Sequence, residues 1–361
     1  MNTKNRKIKV GISVGDPNGI GVEIILKTFC NKEILEFFTP VIFASTKLMS
    51  YQKNIFGFNS LYFQGVFKPE EAVSNKINVV NLWKENVSIE FGVSTSESAF
   101  MGRSSLLAAV EALAAGKIDV LVMSPINSDS LQSGDFPYSG VTQFLEKRFE
   151  GKALTLLKGG DLKIALTTQH LPLSEVSNKL SGKLIKNKIR DLNNTLIRDF
   201  CIEKPKIAVL GLNPHAGDHG LTGREEIEII EPVIKECFDE GILAFGAYPA
   251  DSFFVPKIYT NFDGILAMYH DQGLIPFKTL AFETGVNFTA NLPVIITTPD
   301  HGIGYSIAGK GIADEFSFKQ AIFEAIEIYK NRNEYNELKA NALGKVKMDA
   351  NVSIDEDLPL D

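Results

Sequence analysis

Cysteine is scarce: only Cys30, Cys201 and Cys237 occur in 361 residues, and none belongs to a CxxC pair. An odd, widely spaced set suits reduced thiols in a core. Neither a disulfide framework nor a thiolate zinc site is expected, so any metal must be held by other ligands. Long apolar runs are lacking too. No stretch approaches the roughly 18 uninterrupted apolar residues of a membrane span. The N-terminal MNTKNRKIKV passes directly into a strand pattern, with no apolar h-region or small-residue cleavage site. We expect a cytoplasmic protein with no membrane partner. Nor is positive charge in excess: 37 Lys and Arg against 44 Asp and Glu leave a net charge of -7 and a pI near 5.4. No basic surface favours nucleic acid. Phosphate-loop signatures are absent as well. The glycines of GDPNGIGVEI (15–24), at 15, 19 and 21, match neither GxGxxG nor GxxxxGK[ST], and Asp16 and Glu23 would repel a phosphate. A tight turn at Pro17 leading into an N-capped helix and a functional loop are equal readings of this stretch.

What is present is an ordinary globular composition, 44% hydrophobic and 22% charged, in a chain long enough for two domains. Short β-branched runs at 8–15, 41–45, 77–83, 120–124, 163–168, 206–213, 242–249, 264–270 and 293–299 alternate with stretches of helical spacing at 21–38, 104–117, 181–200, 224–241 and 317–343. Leu106, Leu107, Val110 and Leu113 exemplify the helical stripe. The alternation predicts an α/β protein with mainly parallel sheet. The Ser-, Gly- and Asp-rich loop 127–140 marks a boundary. We expect one α/β domain from residues 1–127 plus about 304–344, a second from 128–303, and a flexible acidic tail at 345–361.

Five histidines stand out by position. His170 in TTQHLPL, His215 in NPHAGDHG and His270 in YHDQG each lie just past the carboxyl end of a predicted strand, the rim where open α/β sheets build ligand sites. Three imidazoles converging there would make an open metal site with a position left for substrate. Asp251 in PADSFF and Asp271 share that rim and could orient imidazoles or accept a proton. His219 sits in a Gly-rich turn and is expected to be exposed; His301 in PDHGIG can be read either way. The stretch DGILAMYHDQGLIPFK (263–278) reads as a strand that delivers His270 and Asp271, turns through Gly273 and Pro276, and ends on Lys278, a candidate for binding an anion or perturbing a proton. Asn287 could hydrogen-bond a polar substrate group.

GDPNGIGVE, TTQHLPL, GLNPHAGDHGLTGREE, PADSFF, YHDQGLIPFK, GVNFTANLP and DHGIGYSIAGKG follow one another in the order and spacing of the 4-hydroxythreonine-4-phosphate dehydrogenase family of vitamin B6 (pyridoxal phosphate) biosynthesis, which the chain resembles over residues 7 to 330. The resemblance implies a homodimer of two-domain α/β/α subunits, similar in fold to isocitrate and isopropylmalate dehydrogenases, with a shared active site in the interdomain cleft. It implies a divalent metal (Zn, Mg or Co) held by His170, His215 and His270, the last drawn from the neighbouring subunit. It implies substrate contacts from Thr142, Lys278 and Asn287. The implied chemistry is NAD-dependent oxidation of 4-phosphooxy-L-threonine to a β-keto acid that decarboxylates to 3-amino-2-oxopropyl phosphate.

The chain departs from the family pattern at several places. Ser128 replaces a lysine, Val141 a substrate-contacting histidine, Gln143 a glutamate, Gln169 a threonine, Ile296 a substrate-binding arginine and Ile303 a threonine. Isoleucine offers no substitute for a bidentate guanidinium. A divergent paralogue oxidising another hydroxy acid, or a catalytically silent metal-binding dimer, therefore stand beside the dehydrogenase reading.

Overall fold

The computed structural model describes residues 6–84, 88–127, 131 and 136–341. Twelve strands form one sheet: β1 Ile8–Ser13, β2 Phe38–Ala44, β3 Phe63–Val66, β4 Ile77–Asn81, β5 Val120–Met123, β6 Leu154–Gly159, β7 Leu162–Leu166, β8 Lys206–Leu210, β9 Leu243–Tyr248, β10 Gly264–Ala267, β11 Val286–Ala290 and β12 Ile296–Pro299. Their order across the sheet is β3-β4-β2-β1-β5-β12-β11-β6-β7-β10-β8-β9. The five strands before residue 127 occupy one end and the seven that follow occupy the other. The parallel pairing of β5 with β12 joins the two blocks without a break. The tail 345–361, Ser128 and most of the loop expected as a boundary lie outside the described residues.

The sheet is mainly parallel, as the β/α alternation predicts. The exception lies at its middle, where β12/β11, β11/β6 and β6/β7 are successive antiparallel pairs. Three reversals leave β7, β10, β8 and β9 running opposite to β1–β5. The carboxyl ends of the two blocks thus face opposite edges, and the middle strands β6, β11 and β12 join them.

Helices cover both faces: α1 Gly21–Cys30, α2 Thr46–Ile55, α3 Ser96–Ala114, α4 Val141–Arg148, α5 Leu173–Lys179, α6 Gly182–Phe200, α7 Glu231–Asp239, α8 His270–Ala281 and α9 Phe316–Ala340. Fully buried Ile185, Ile189, Leu192 and Leu196 recur along α6 at three- and four-residue spacing and pack in the same core as Ile207 and Val209 of β8. A second apolar cluster gathers Leu106 and Val110 of α3, Met123 of β5, Leu145 of α4 and Ile296 of β12. Asp199, fully buried on α6, receives Nε and an Nη of Arg332 on α9 at 2.9 and 3.0 Å. A buried carboxylate needs such a partner.

Two readings are corrected by the backbone. His270 to Lys278 is not a turn but the first nine residues of α8. Gly273 serves packing: a Cβ there would meet Leu166 Cδ2 at 2.6 Å and Ala267 Cβ at 3.2 Å, so its absence lets α8 lie on β7 and β10. Pro276 is accommodated inside the helix, which forgoes only the hydrogen bond its missing N–H would make. The helix after GDPNGIG has no side-chain N-cap either; Ile20 holds that position and its N–H donates to Ile303 O at 2.9 Å.

Candidate active site

Strand β11 shows how the sequence builds the cleft. Val286, Phe288 and Ala290 are buried in the core, while Asn287 and Thr289 alternate to the other face and stay partly exposed. That face forms the floor of a cleft of about 640 Å³. Thr155 of β6 and Thr298 of β12 continue the floor, Ser124 and Asn127 line the exit of β5, and Val141 and Thr142 come from the start of α4. His170 and His301 complete a lining of hydroxyls, amides and imidazoles. Apolar Leu106, Met123 and Leu145 wall one side.

His170 leaves β7 through Thr167 and Thr168, whose N–H groups donate to Ala267 O and Met268 O at 2.8 and 3.1 Å, extending the pairing of β7 with β10. Because those strands are neighbours, His170 and His270 meet: their ring centroids are 5.9 Å apart with the planes tilted by 42°. Asp271 Oδ1 lies 2.7 Å from His270 Nδ1. That bond favours the proton on Nδ1 and leaves the Nε2 lone pair free to ligate a metal. The resemblance draws His270 from a neighbouring subunit; in a single chain it already stands beside His170.

His215 sits on a different kind of support. Residues His215 to His219 all have positive φ, between 43° and 83°, a left-handed turn in which four of five residues are not glycine. Such a run costs free energy that the surroundings must offset. The fully buried carboxylate of Glu226 anchors the chain entering the turn: Oε1 accepts from Leu212 N and Asn213 N, both at 2.7 Å, and Oε2 accepts from Asn213 Nδ2 at 2.9 Å. Gly217 (φ 83°) is needed there, since a Cβ would come within 2.7 Å of Glu226 Oε2. His215 is exposed on this turn and does not line the cleft.

Lys278, two turns along α8, donates to Asp300 O at 3.2 Å and stands 3.7 Å from Asp300 Oδ2. Burial pushes the Asp300 carboxyl above the usual carboxylate range, partly opposed by that lysine. Asp251 and Asp271 border a second, open cavity of about 380 Å³ with Phe254, Ile275, Thr279 and Leu280. The structure therefore gathers His170, Thr142 and Asn287 in one cleft and sets His270 and Asp271 beside it. It leaves His215, Asp251 and Lys278 outside the lining.

Of the departures, Val141 and Ile303 line the cleft, whereas Ile296 is 0% exposed beneath it in the apolar cluster. Gln143 accepts from Ser139 N at 2.7 Å and so braces the start of α4. Gln169 borders a small cavity with His170 and His270. Cleft residues that spacing did not single out are Thr155, Thr289, Thr298 and Ser124; alternation within β11 was a signal for Thr289 alone. His301 resolves into the cleft, its Nδ1 near Gly302 O at 3.1 Å and its Nε2 buried without a partner. Burial lowers its pKa.

The donors present suit a divalent ion. With metal–nitrogen bonds of about 2.1 Å, two imidazoles on one ion place their rings about 5–6 Å apart, as His170 and His270 are. Among the described residues of one chain, no group of three His, Cys, Asp or Glu could hold an ion. A single chain thus presents an open pair of imidazoles.

A mainly parallel sheet with an imidazole- and hydroxyl-lined crevice at its point of reversal is the frame of an α/β enzyme. Comparison gives it a family. The family described as "Pyridoxal phosphate biosynthetic protein PdxA" matches residues 36–325. The chain is 44% identical over 344 residues to a 4-hydroxythreonine-4-phosphate dehydrogenase of Bacteroides thetaiotaomicron, covering 95% of this chain and 94% of the relative. A crystal structure of a 4-hydroxythreonine-4-phosphate dehydrogenase from Burkholderia phymatum superposes with a TM-score of 0.74 at 31% identity, covering 90% of this chain and 99% of that one. A terephthalate 1,2-cis-dihydrodiol dehydrogenase from Burkholderia xenovorans superposes with a TM-score of 0.58 at 26% identity, covering 89% and 98%. The chain belongs to the PdxA family and is an oxidoreductase. No helix among the described residues is long and apolar enough to cross a membrane.

Proposed function

We propose that the protein oxidises 4-phosphooxy-L-threonine with NAD and a divalent metal, working as a homodimer with a shared site. Hydride leaves the carbinol carbon for NAD⁺ and the hydroxyl proton leaves to a base. The resulting β-keto acid then breaks its bond to the carboxylate, releasing carbon dioxide and 3-amino-2-oxopropyl phosphate. The observation that carries the reading is the contact of His170 with His270 at the rim of the cleft floored by Asn287 and bordered by Thr142. When bound, the metal supplies Lewis-acid stabilisation of developing negative charge on oxygen and the nicotinamide accepts the hydride.

The chain's own residues do the rest. His170, His215 and His270 would hold the ion, with Asp271 fixing the His270 tautomer. Thr142 and Asn287 orient the substrate's polar groups across the cleft. Lys278 approaches from α8, kept in place by Asp300 next to the cleft residues Pro299 and His301. Asp251 and Asp271, exposed on the adjoining cavity, are the candidates to take the proton. The test is NADH formation from 4-phosphooxythreonine by metal-loaded protein, abolished by chelation and restored by the ion. No NADH from a metal-loaded dimer would end this reading.

One observation favours a second reading. Among the described residues the cleft lining contains neither Lys nor Arg, and the wall beside Val141 is apolar. That arrangement suits a hydroxy acid with a neutral far end, oxidised by the same chemistry on the same fold. A panel of hydroxy acids assayed beside the phosphorylated substrate separates the two: a neutral substrate with the higher kcat/KM would establish the second.

A further inference from the structure

The three segments that carry His170, His215 and His270 all begin where sheet hydrogen bonding is running out. Met268 lies one residue past β10 and Gly211 one past β8, so the ladder no longer fixes the distance between them. Their buried backbone groups still need partners. Gln272, 9% exposed on the first turn of α8, supplies both: its Oε1 accepts from Met268 N at 2.7 Å and its Nε2 donates to Gly211 O at 2.6 Å. On the other side, Met268 O accepts from Thr168 Oγ1 at 2.8 Å. A continuous chain of bonds therefore runs from Thr168, two residues before His170, through Met268 and Gln272 on either side of His270, to Gly211, four residues before His215.

We propose that Gln272 is a positioning residue that sets the spacing of the His215 turn against the backbone segments leading to His170 and His270, whichever subunit completes the site, and through it the affinity for the metal. The proposal rests on the metal reading above. Among the described residues the Gln272 side chain bonds to backbone groups and to no imidazole, so it acts through the backbone on both sides. Glu226 fixes the shape of the turn at Leu212 and Asn213, while Gln272 fixes where that turn is anchored. The amide is suited to the task because it offers one acceptor and one donor from a single rigid plane. Methionine fills the same volume without either bond, and asparagine keeps the amide but is too short to span both partners.

The experiment titrates chelator-treated protein with cobalt(II) and zinc, following the cobalt absorption bands. Wild type, Gln272→Met and Gln272→Asn are compared well below their unfolding temperatures. Gln52→Met serves as control, since it removes another buried amide, bonded to Pro17 O at 2.8 Å in the β1–β5 block. Partners one step removed from a metal typically change its affinity ten- to a hundred-fold. The expected result is a loss of about that size in both Gln272 variants, with altered cobalt bands, and unchanged affinity in Gln52→Met. Wild-type affinity in either folded Gln272 variant, or an equal loss in Gln52→Met, overturns the proposal and leaves the metal reading standing. Failure of the wild type itself to bind an ion removes both.

Discussion

Val141 and Ile296 stand at the same apolar wall, one partly exposed to the cleft and the other sealed beneath it. Their substitutions should therefore behave differently. Val141→His places a donor at the cleft surface, where a hydrogen bond to a charged group contributes about 1.5–3 kcal/mol. At about 1.4 kcal/mol per factor of ten, kcat/KM for 4-phosphooxythreonine should rise about ten- to a hundred-fold; an unchanged value would show that no phosphate binds there. Ile296→Arg instead buries a guanidinium among Leu106, Met123 and Leu145 and should cost more than about 2 kcal/mol in urea unfolding. Wild-type stability would mean that the side chain escapes into the cleft. His301 makes a pH prediction. Burial lowers its pKa from the usual 6.5, Asp314 pulling the other way and Lys278 reinforcing the shift. Below pH 6.5 the unfolded chain takes up a proton that the folded one resists, so this contribution to stability is intact above that pH and lost as the pH falls. His301→Gln should flatten the decline of Tm between about pH 7 and pH 5. A profile that keeps its slope would assign the decline to other groups.

Elements differ in how far their sequences announce them. The left-handed turn His215–His219 depends on Gly217, where a side chain would meet both an unfavourable φ and the Glu226 carboxylate. Gly217→Ala should cost about 1–3 kcal/mol and weaken metal binding together; thermal unfolding and the cobalt titration read the two effects, and a variant as stable as wild type would show that the turn relaxes freely. Nothing in NPHAGDHG predicts five consecutive left-handed residues, because the groups that hold the loop come from later in the chain: Glu226 at Leu212 and Asn213, and Thr222 at Pro214 and Gly217. Strands rich in β-branched residues, such as β1 and β5, were legible. Strand β11 was not: its cleft-facing Asn287 and Thr289 dilute the apolar pattern that marks a strand, and the short edge strand β3 carries exposed Gln64 and Gly65. Helix α8 was masked by Gly273 and Pro276, a packing glycine and a tolerated proline read as turn formers. The rim positions of the histidines could be read from strand ends. That His170 would touch His270 could not, because it follows from β7 lying beside β10, an adjacency between distant segments.

At the scale of the whole molecule, the site's incompleteness and an uncovered apolar surface coincide. One chain brings only two imidazoles into contact and gathers no third ligand among its described residues. Within that pair His270 has a side chain 40% exposed; its neighbour Asp271 is 71% exposed, and Ile275 and Leu280, on the same cavity as Asp271, are 65% and 44% exposed. Apolar side chains left open around a site mark an interaction surface, and a second copy pressing there would bring further ligands to the imidazole pair. If so, association and metal affinity are linked, and whatever separates the subunits must also loosen the ion. The double substitution Ile275→Asp, Leu280→Asp alters no proposed ligand and removes no buried side chain, so the fold should survive. We expect sedimentation equilibrium to show a dimer for wild type and a monomer for the variant, with at least tenfold weaker binding of cobalt(II) by the variant despite an unchanged circular dichroism spectrum. A monomeric variant that binds cobalt(II) as tightly as wild type would place every ligand within one chain and remove the shared site. A variant that stays dimeric would locate the subunit contact on another surface.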